Sequence, residues 1–128
     1  FNAYAVMKSN WALESAGHVK SVGVLVYEDA DCTTPLTSID WGWLNSPSSN
    51  SHLAYVKNGG NYPVTLSMVI NSTSPTWFDT YLTPGWNASG VNLNPDDVAP
   101  ILLTLNVAPD CPGGSFSYDT TIIGTTVD

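Results

Sequence analysis

The chain has 128 residues, enough for one domain with its own core. It carries 3 lysines, no arginine and 11 acidic residues, a net charge of -8. So few cations cannot neutralise a phosphate track or form a basic membrane-surface helix, which argues against nucleic-acid and membrane-surface partners. No apolar run approaches the ~18 residues needed for a membrane span. Charged residues make up 11%, against roughly 25% in an ordinary soluble domain. Serine and threonine fill much of the gap and number 27 together. This polar, weakly charged and aromatic-rich balance points to a β-protein outside the cell.

In chain order, residues 1–16 come first and are surplus to the pattern that follows. Phe1, Ala3, Ala5 and Met7 alternate as in a strand, and the segment ends with Trp11 and Leu13. A helix competes with that reading, because Tyr4, Met7 and Trp11 also lie at i, i+3 and i+7. Phe1 in place of Met fits removal of a signal segment.

Period-2 patterning predicts a strand over residues 18–27, ended by the turn Glu28-Asp29-Ala30-Asp31. A second strand is predicted over 36–44, with Ile39, Trp41 and Trp43 on one face. Residues 46–50 read as a polar turn. A third strand, 53–57, precedes Asn58-Gly59-Gly60-Asn61, a hairpin turn signal. Val64, Leu66, Met68 and Ile70 form the clearest half-buried alternation. Residues 78–86 read as a weaker strand, with Pro84 marking an edge or a bulge. Residues 101–107 and 116–122 supply the last two strands. Seven strands with regular turn signals predict an all-β sandwich, Ig-like or jelly-roll-like. The expected organisation is an N-terminal strand and linker over 1–16 and a sandwich over 17–128.

The catalytic inventory is thin. His18 and His52 are the two histidines, and both read as strand-edge side chains. No nucleophile elbow, zinc-protease helix or phosphate loop is present. The expectation is therefore a protein that is not an enzyme and needs no cofactor, with calcium as the one ion to consider. Cys32 and Cys111 would close a long loop if paired, a bond contributing about 4 kcal/mol in an oxidising compartment. Such pairing would also gather Glu28, Asp29, Asp31 and Asp110 into a site suited to calcium. The plain alternative is a solvated acidic turn. Two sequons, at Asn71 and Asn87, predict N-glycosylation in a secreted chain. Trp41, Trp43, Trp77 and Trp86 suggest a sugar-stacking platform, with core packing as the competing explanation.

One stretch carries a resemblance. It runs Ile39-Asp40-Trp41-Gly42-Trp43-Leu44, then Ser46-Pro47-Ser48, then Tyr55-Val56-Lys57-Asn58-Gly59-Gly60-Asn61-Tyr62-Pro63-Val64-Thr65-Leu66. With Trp86, the Leu93-x-Pro95 turn and the last two strands, it resembles secreted archaeal β-sandwich proteins across residues 18–126. Related architectures include subunits of archaeal threads, bundling pili and cannulae, and bacterial biofilm-matrix fibre proteins. The resemblance implies assembly by donor-strand complementation, in which one subunit's N-terminal strand fills a groove in the next. The chain departs from type IV pilins and archaellins, because it lacks their long apolar N-terminal helix.

The expectation is a subunit of an extracellular filament made of copies of itself, with attached glycans. Residues 1–13 would donate the strand, anchored by Phe1, Ala3, Ala5, Met7 and Trp11. Residues 18–128 would accept it. The alternative is a monomeric, secreted carbohydrate-binding or cell-surface adhesion domain.

Overall fold

The computed structural model describes the backbone of residues 8–13 and residues 23–127 in full. Phe1, Ala3, Ala5, Met7, His18 and the expected domain boundary at 16/17 lie outside the described residues. Among the described residues there are eight strands: β1 (Lys8–Leu13), β2 (Val24–Tyr27), β3 (Ser48–Asn58), β4 (Val64–Ser74), β5 (Leu82–Trp86), β6 (Asn92–Leu93), β7 (Val98–Val107) and β8 (Ser117–Thr126). One helical turn, α1 (Phe78–Tyr81), leads into β5. Among the described residues, no helix is long and apolar enough to cross a membrane.

The strands form two four-stranded antiparallel sheets, ordered β1-β8-β4-β6 and β2-β3-β7-β5. Inward side chains from both sheets make one core: Val24 and Val26 of β2, Ala54 and Val56 of β3, Val64 and Leu66 of β4, Ile101 and Leu103 of β7, and Ile122 of β8. The chain is therefore an all-β sandwich, as its patterning predicts. Strands β4 and β7 follow the expected alternation. Ile101, Leu103, Leu105 and Val107 are buried, while Leu102 and Asn106 face outward.

Several elements differ from expectation. Residues 36–44 do not form a strand; at their start an isolated bridge joins Tyr27 to Pro35 and the Leu36 N–H donates to Val26 O at 3.0 Å. The cause is local. Gly42 adopts φ +68°, and Asp40 Oδ1 accepts its backbone N–H at 2.9 Å. Glycine reaches this left-handed region without the steric cost of a Cβ. Residues 48–50, read as part of a turn, belong to β3, where they pair with residues 105–107 of β7. Residues 78–81 form the helical turn rather than a strand. The edge placement signalled by Pro84 holds, since β5 closes one side of its sheet.

Two features fix how the elements meet. Asn58, fully buried at the end of β3, donates from Nδ2 to the carbonyls of Tyr62 (2.7 Å) and Leu93 (3.0 Å). Its Oδ1 accepts the Gly60 N–H at 2.9 Å, which shapes the turn into β4. One amide thus ties the β3–β4 connection to β6, and a buried amide costs least when satisfied in this way. The turn at residues 58–61 carries the chain from one sheet to the other rather than closing the expected hairpin, since β3 and β4 lie in different sheets. Between the sheets, Gly124 of β8 lies against Val24 of β2, and Val64 of β4 flanks it. A Cβ at 124 would collide with Val24 Cγ2 and would sit 3.3 Å from Val64. Gly124→Ala should therefore lower unfolding stability by about 1–3 kcal/mol through overpacking. Urea denaturation checks this, and adding Val24→Ala should return part of the loss.

Candidate functional site

Beyond the main core, a second cluster is built from aromatic residues. Phe78 is buried with Leu82, Leu105 and Val107, and Trp41, Trp77, Phe116 and Tyr118 pack around it. The Phe78 ring centroid lies 5.3 Å from Tyr118 and 6.0 Å from Phe116, at tilted angles. Phe116 and Tyr118 stack at 6.5 Å. Such offset and tilted pairs add modestly to the gain from burial. Trp41 Nε1 donates to the Tyr118 hydroxyl at 2.8 Å, locking the 36–44 segment onto the start of β8.

Over this cluster runs a groove of about 470 Å³, between residues 38–43 on one side and 114–120 on the other. Its lining mixes the rings of Trp41, Trp43, Phe116 and Tyr118 with hydroxyl groups and one carboxylate, Asp40. Trp41 and Trp43 do not share a face as the sequence spacing predicts. The left-handed Gly42 between them turns Trp41 inward, where it is half-buried, and leaves Trp43 at 103% relative exposure.

The four expected tryptophans do not form one platform. Trp77 packs in the Phe78 cluster, and Trp86 packs against the main core and donates to Ser89 Oγ at 2.8 Å. The contributions of Phe116 and Tyr118 were hidden in the sequence, where their alternation reads simply as a strand face.

The cysteines are not bonded to each other, which corrects the expected disulfide. Cys32 lies in the turn after β2, and Cys111 lies in the loop after β7. Strand β3 stands between β2 and β7. That places the parent strands about 10 Å apart at ordinary spacing, whereas a disulfide needs Cα atoms within ~7 Å. Cys111 is held instead near Ser46, whose Oγ accepts its N–H at 3.1 Å and donates to Ala108 O at 2.7 Å.

The calcium cluster depended on that bond and does not assemble. Among the described residues, no three His, Cys, Asp or Glu side chains converge on one point. Asp29 serves the turn: its carboxylate accepts the backbone N–H groups of Thr33 and Thr34 at 2.9 Å each, and the Thr33 hydroxyl. Glu28 Oε1 instead faces His52 Nε2 at 3.7 Å. Asp31 lies beside Cys32 in the same turn, while Asp110 lies in the loop with Cys111.

Both sequons are on the surface. Asn71 is exposed at the β4 bulge, next to Ser72 with φ 56°. Asn87 is also exposed; its Oδ1 accepts the Leu102 N–H at 2.9 Å, leaving Nδ2 as the atom a glycan would modify.

The fold and groove thus define a β-sandwich protein with an open aromatic surface. Compared with known protein families, curated proteins and solved structures, the chain matches none of them.

Two titrations test the geometry. Hydrogen bonds from the Thr33 hydroxyl, then from Thr34 N–H, hold the Asp29 carboxyl below its ordinary 3.8. A depressed carboxyl stabilises above its unfolded value, and that support is lost as pH falls through the lowered folded value. The Thr33 and Thr34 amide resonances should therefore stay native at pH 4 and shift only under stronger acid. In Asp29→Asn they should be displaced at every pH. Burial pushes the Tyr118 hydroxyl above its ordinary 10.0, against the smaller opposing effect of Trp41. The raised value makes the neutral phenol the stable folded form, so stability should decline as pH rises beyond 10. Tyr118→Phe should remove that decline and cost about 1 kcal/mol at pH 7, for the lost Trp41 bond.

Proposed function

We propose that the chain is a structural subunit of an extracellular filament, joined head to tail by exchange of its N-terminal strand. The supporting observation is the position of β1. It is the outermost strand of its sheet and pairs with β8 from Lys8↔Thr125 to Leu13↔Thr120. Six residues of antiparallel ladder are thus supplied from the N-terminal end of the chain. The sheet beyond β8 is completed by β4 and β6.

A strand in this place can be exchanged. The same residues from another copy would meet the same β8 edge with the same register. The intramolecular pairing then corresponds to the subunit before assembly, and the exchanged pairing to the polymer. Each copy gives one strand and receives one, so the contact does not close on itself and propagates as a fibre. In the ladder Trp11 stands opposite Ile122, which is fully buried. In the sequence, the same period-2 set runs back from Trp11 through Met7, Ala5, Ala3 and Phe1. On this reading those residues anchor the donated strand. The sandwich, Ig-like or jelly-roll-like, accepts it. The resemblance to secreted archaeal filament proteins points the same way, as do the two exposed sequons and the low charge.

Electron microscopy of the purified full chain should show filaments. A synthetic peptide of residues 1–13, added in excess during assembly, should occupy β8 edges and shorten them in proportion to its concentration. This readout does not require a truncated chain to fold. Filament lengths indifferent to the peptide would falsify strand exchange, as would undiminished polymerisation after deletion of residues 1–13.

A further inference from the structure

The groove over the aromatic cluster has a chemistry that strand exchange does not use. Trp43 stands wholly in solvent, although burying such a ring is worth a few kcal/mol at ~25 cal/mol per Å². Its neighbour Trp41 shows that this backbone can bury an indole. The turn at Gly42 sends the second one out. A Cβ at 42 would meet nothing within 4 Å, so no steric crowding requires glycine there. What requires it is the positive φ, and the positive φ is what separates Trp43 from Trp41.

The exposed ring does not stand alone. It borders a concavity of about 470 Å³, within the ~300–1,000 Å³ range of small-molecule sites. The floor is rigid: Phe116 and Tyr118 rest on buried Phe78, and Trp41 is fixed by its bond to Tyr118. Polar groups are interleaved with the rings. Asp40 spends one oxygen lone pair on Gly42 and keeps further acceptor capacity, and Ser115 and Ser117 add hydroxyl groups that donate or accept.

We infer that this groove binds neutral oligosaccharides, with Trp43 as the stacking platform. A pyranose ring has an apolar C–H face and an equatorial rim of hydroxyl groups. The face matches a bare indole plane, and the rim matches the carboxylate and serine hydroxyl groups. Other ligand classes fit less well. Among the described residues the lining contains no Lys, Arg or His, and its one charge is Asp40, which repels anionic sugars and phosphates. A cation held by aromatic rings calls for a desolvated enclosure, whereas Trp43 lies open to water. A purely apolar partner would leave Asp40 and the serines without hydrogen bonds.

The test is made on the full chain, monomeric or assembled, so its outcome is independent of strand exchange. An array of neutral α- and β-linked gluco-, manno- and galacto-oligosaccharides is screened, and hits are titrated by calorimetry and tryptophan fluorescence. Hexagalacturonate and choline serve as the anionic and cationic probes. At least one neutral series should bind, more tightly than either charged probe. Trp43→Ala should lower its affinity tenfold or more, about 1.4 kcal/mol. Gly42→Ala should weaken it too, by redirecting Trp43, while Tyr62→Ala on another exposed surface should leave it unchanged. Because Trp43 makes no buried contact, its variant should retain the native melting temperature. The inference is overturned if no neutral glycan binds, if binding survives Trp43→Ala, or if either charged probe binds more tightly.

Discussion

The outer edge of β8 must be covered. A β-strand whose N–H and C=O groups face outward without partners invites pairing with any other extended chain. Along residues 120–125 that edge is met by β1, in register, with six paired residues. On its other side β8 is paired with β4 almost to its ends, interrupted by the bulge between Asn71 and Ser74. Its face meets the opposite sheet so closely that Gly124 has no room for a side chain beside Val24. Strand β8 is thus tied into the fold from three directions. Two of them are supplied by β4 and by β2 of the facing sheet. The third is supplied by the short strand β1.

The low charge has a structural counterpart. Amides and hydroxyl groups do work that ion pairs perform elsewhere. Asn58 joins the β3–β4 connection to β6, Asp29 and Thr33 close the turn after β2, and Ser46 ties the loop after β7 to the start of β3. Thr65 donates to Asn92 across the β4–β6 pair at 2.7 Å. Apart from the Asp29 carboxylate these are short-range bonds between uncharged groups, so salt screens them weakly compared with surface ion pairs. Among the described residues, every buried side-chain nitrogen and oxygen has a partner.

The parts of this fold that were legible in the sequence are those where one face is buried. Val64 to Ile70 and Ile101 to Val107 alternate because the sheet pleat sends successive side chains to core and solvent. The Asn58-Gly59-Gly60-Asn61 turn was equally plain as a turn, but it crosses between the sheets instead of closing a hairpin. The start of β3 was not, because Ser48, Ser49 and Asn50 carry no apolar signal and owe their strand conformation to the ladder with β7. The 36–44 segment misled in the other direction. Its alternating large residues satisfy the strand pattern, yet the Asp40–Gly42 bond and one left-handed glycine redirect the chain. The same event hid the groove: spacing put Trp41 and Trp43 together, and only the backbone angle separates them. The acidic cluster and disulfide failed together, because both assumed that two loops meet across β3.

The groove and the strand ladder share β8 but occupy different lengths of it. Residues 116–120 border the groove, while 120–125 carry β1, and Thr120 belongs to both. A change in the ladder would disturb the groove only if β8 itself moved. That movement is opposed by β4, whose pairing spans residues 117–126 of β8. The aromatic floor is opposed to movement as well, since Tyr118 is held by both Phe78 and Trp41. On the proposed reading, the groove would therefore keep its shape whichever copy supplied β1. A polymer of such subunits would repeat one weak sugar site along its length, and linked sites raise binding strength by effective concentration without any new contact.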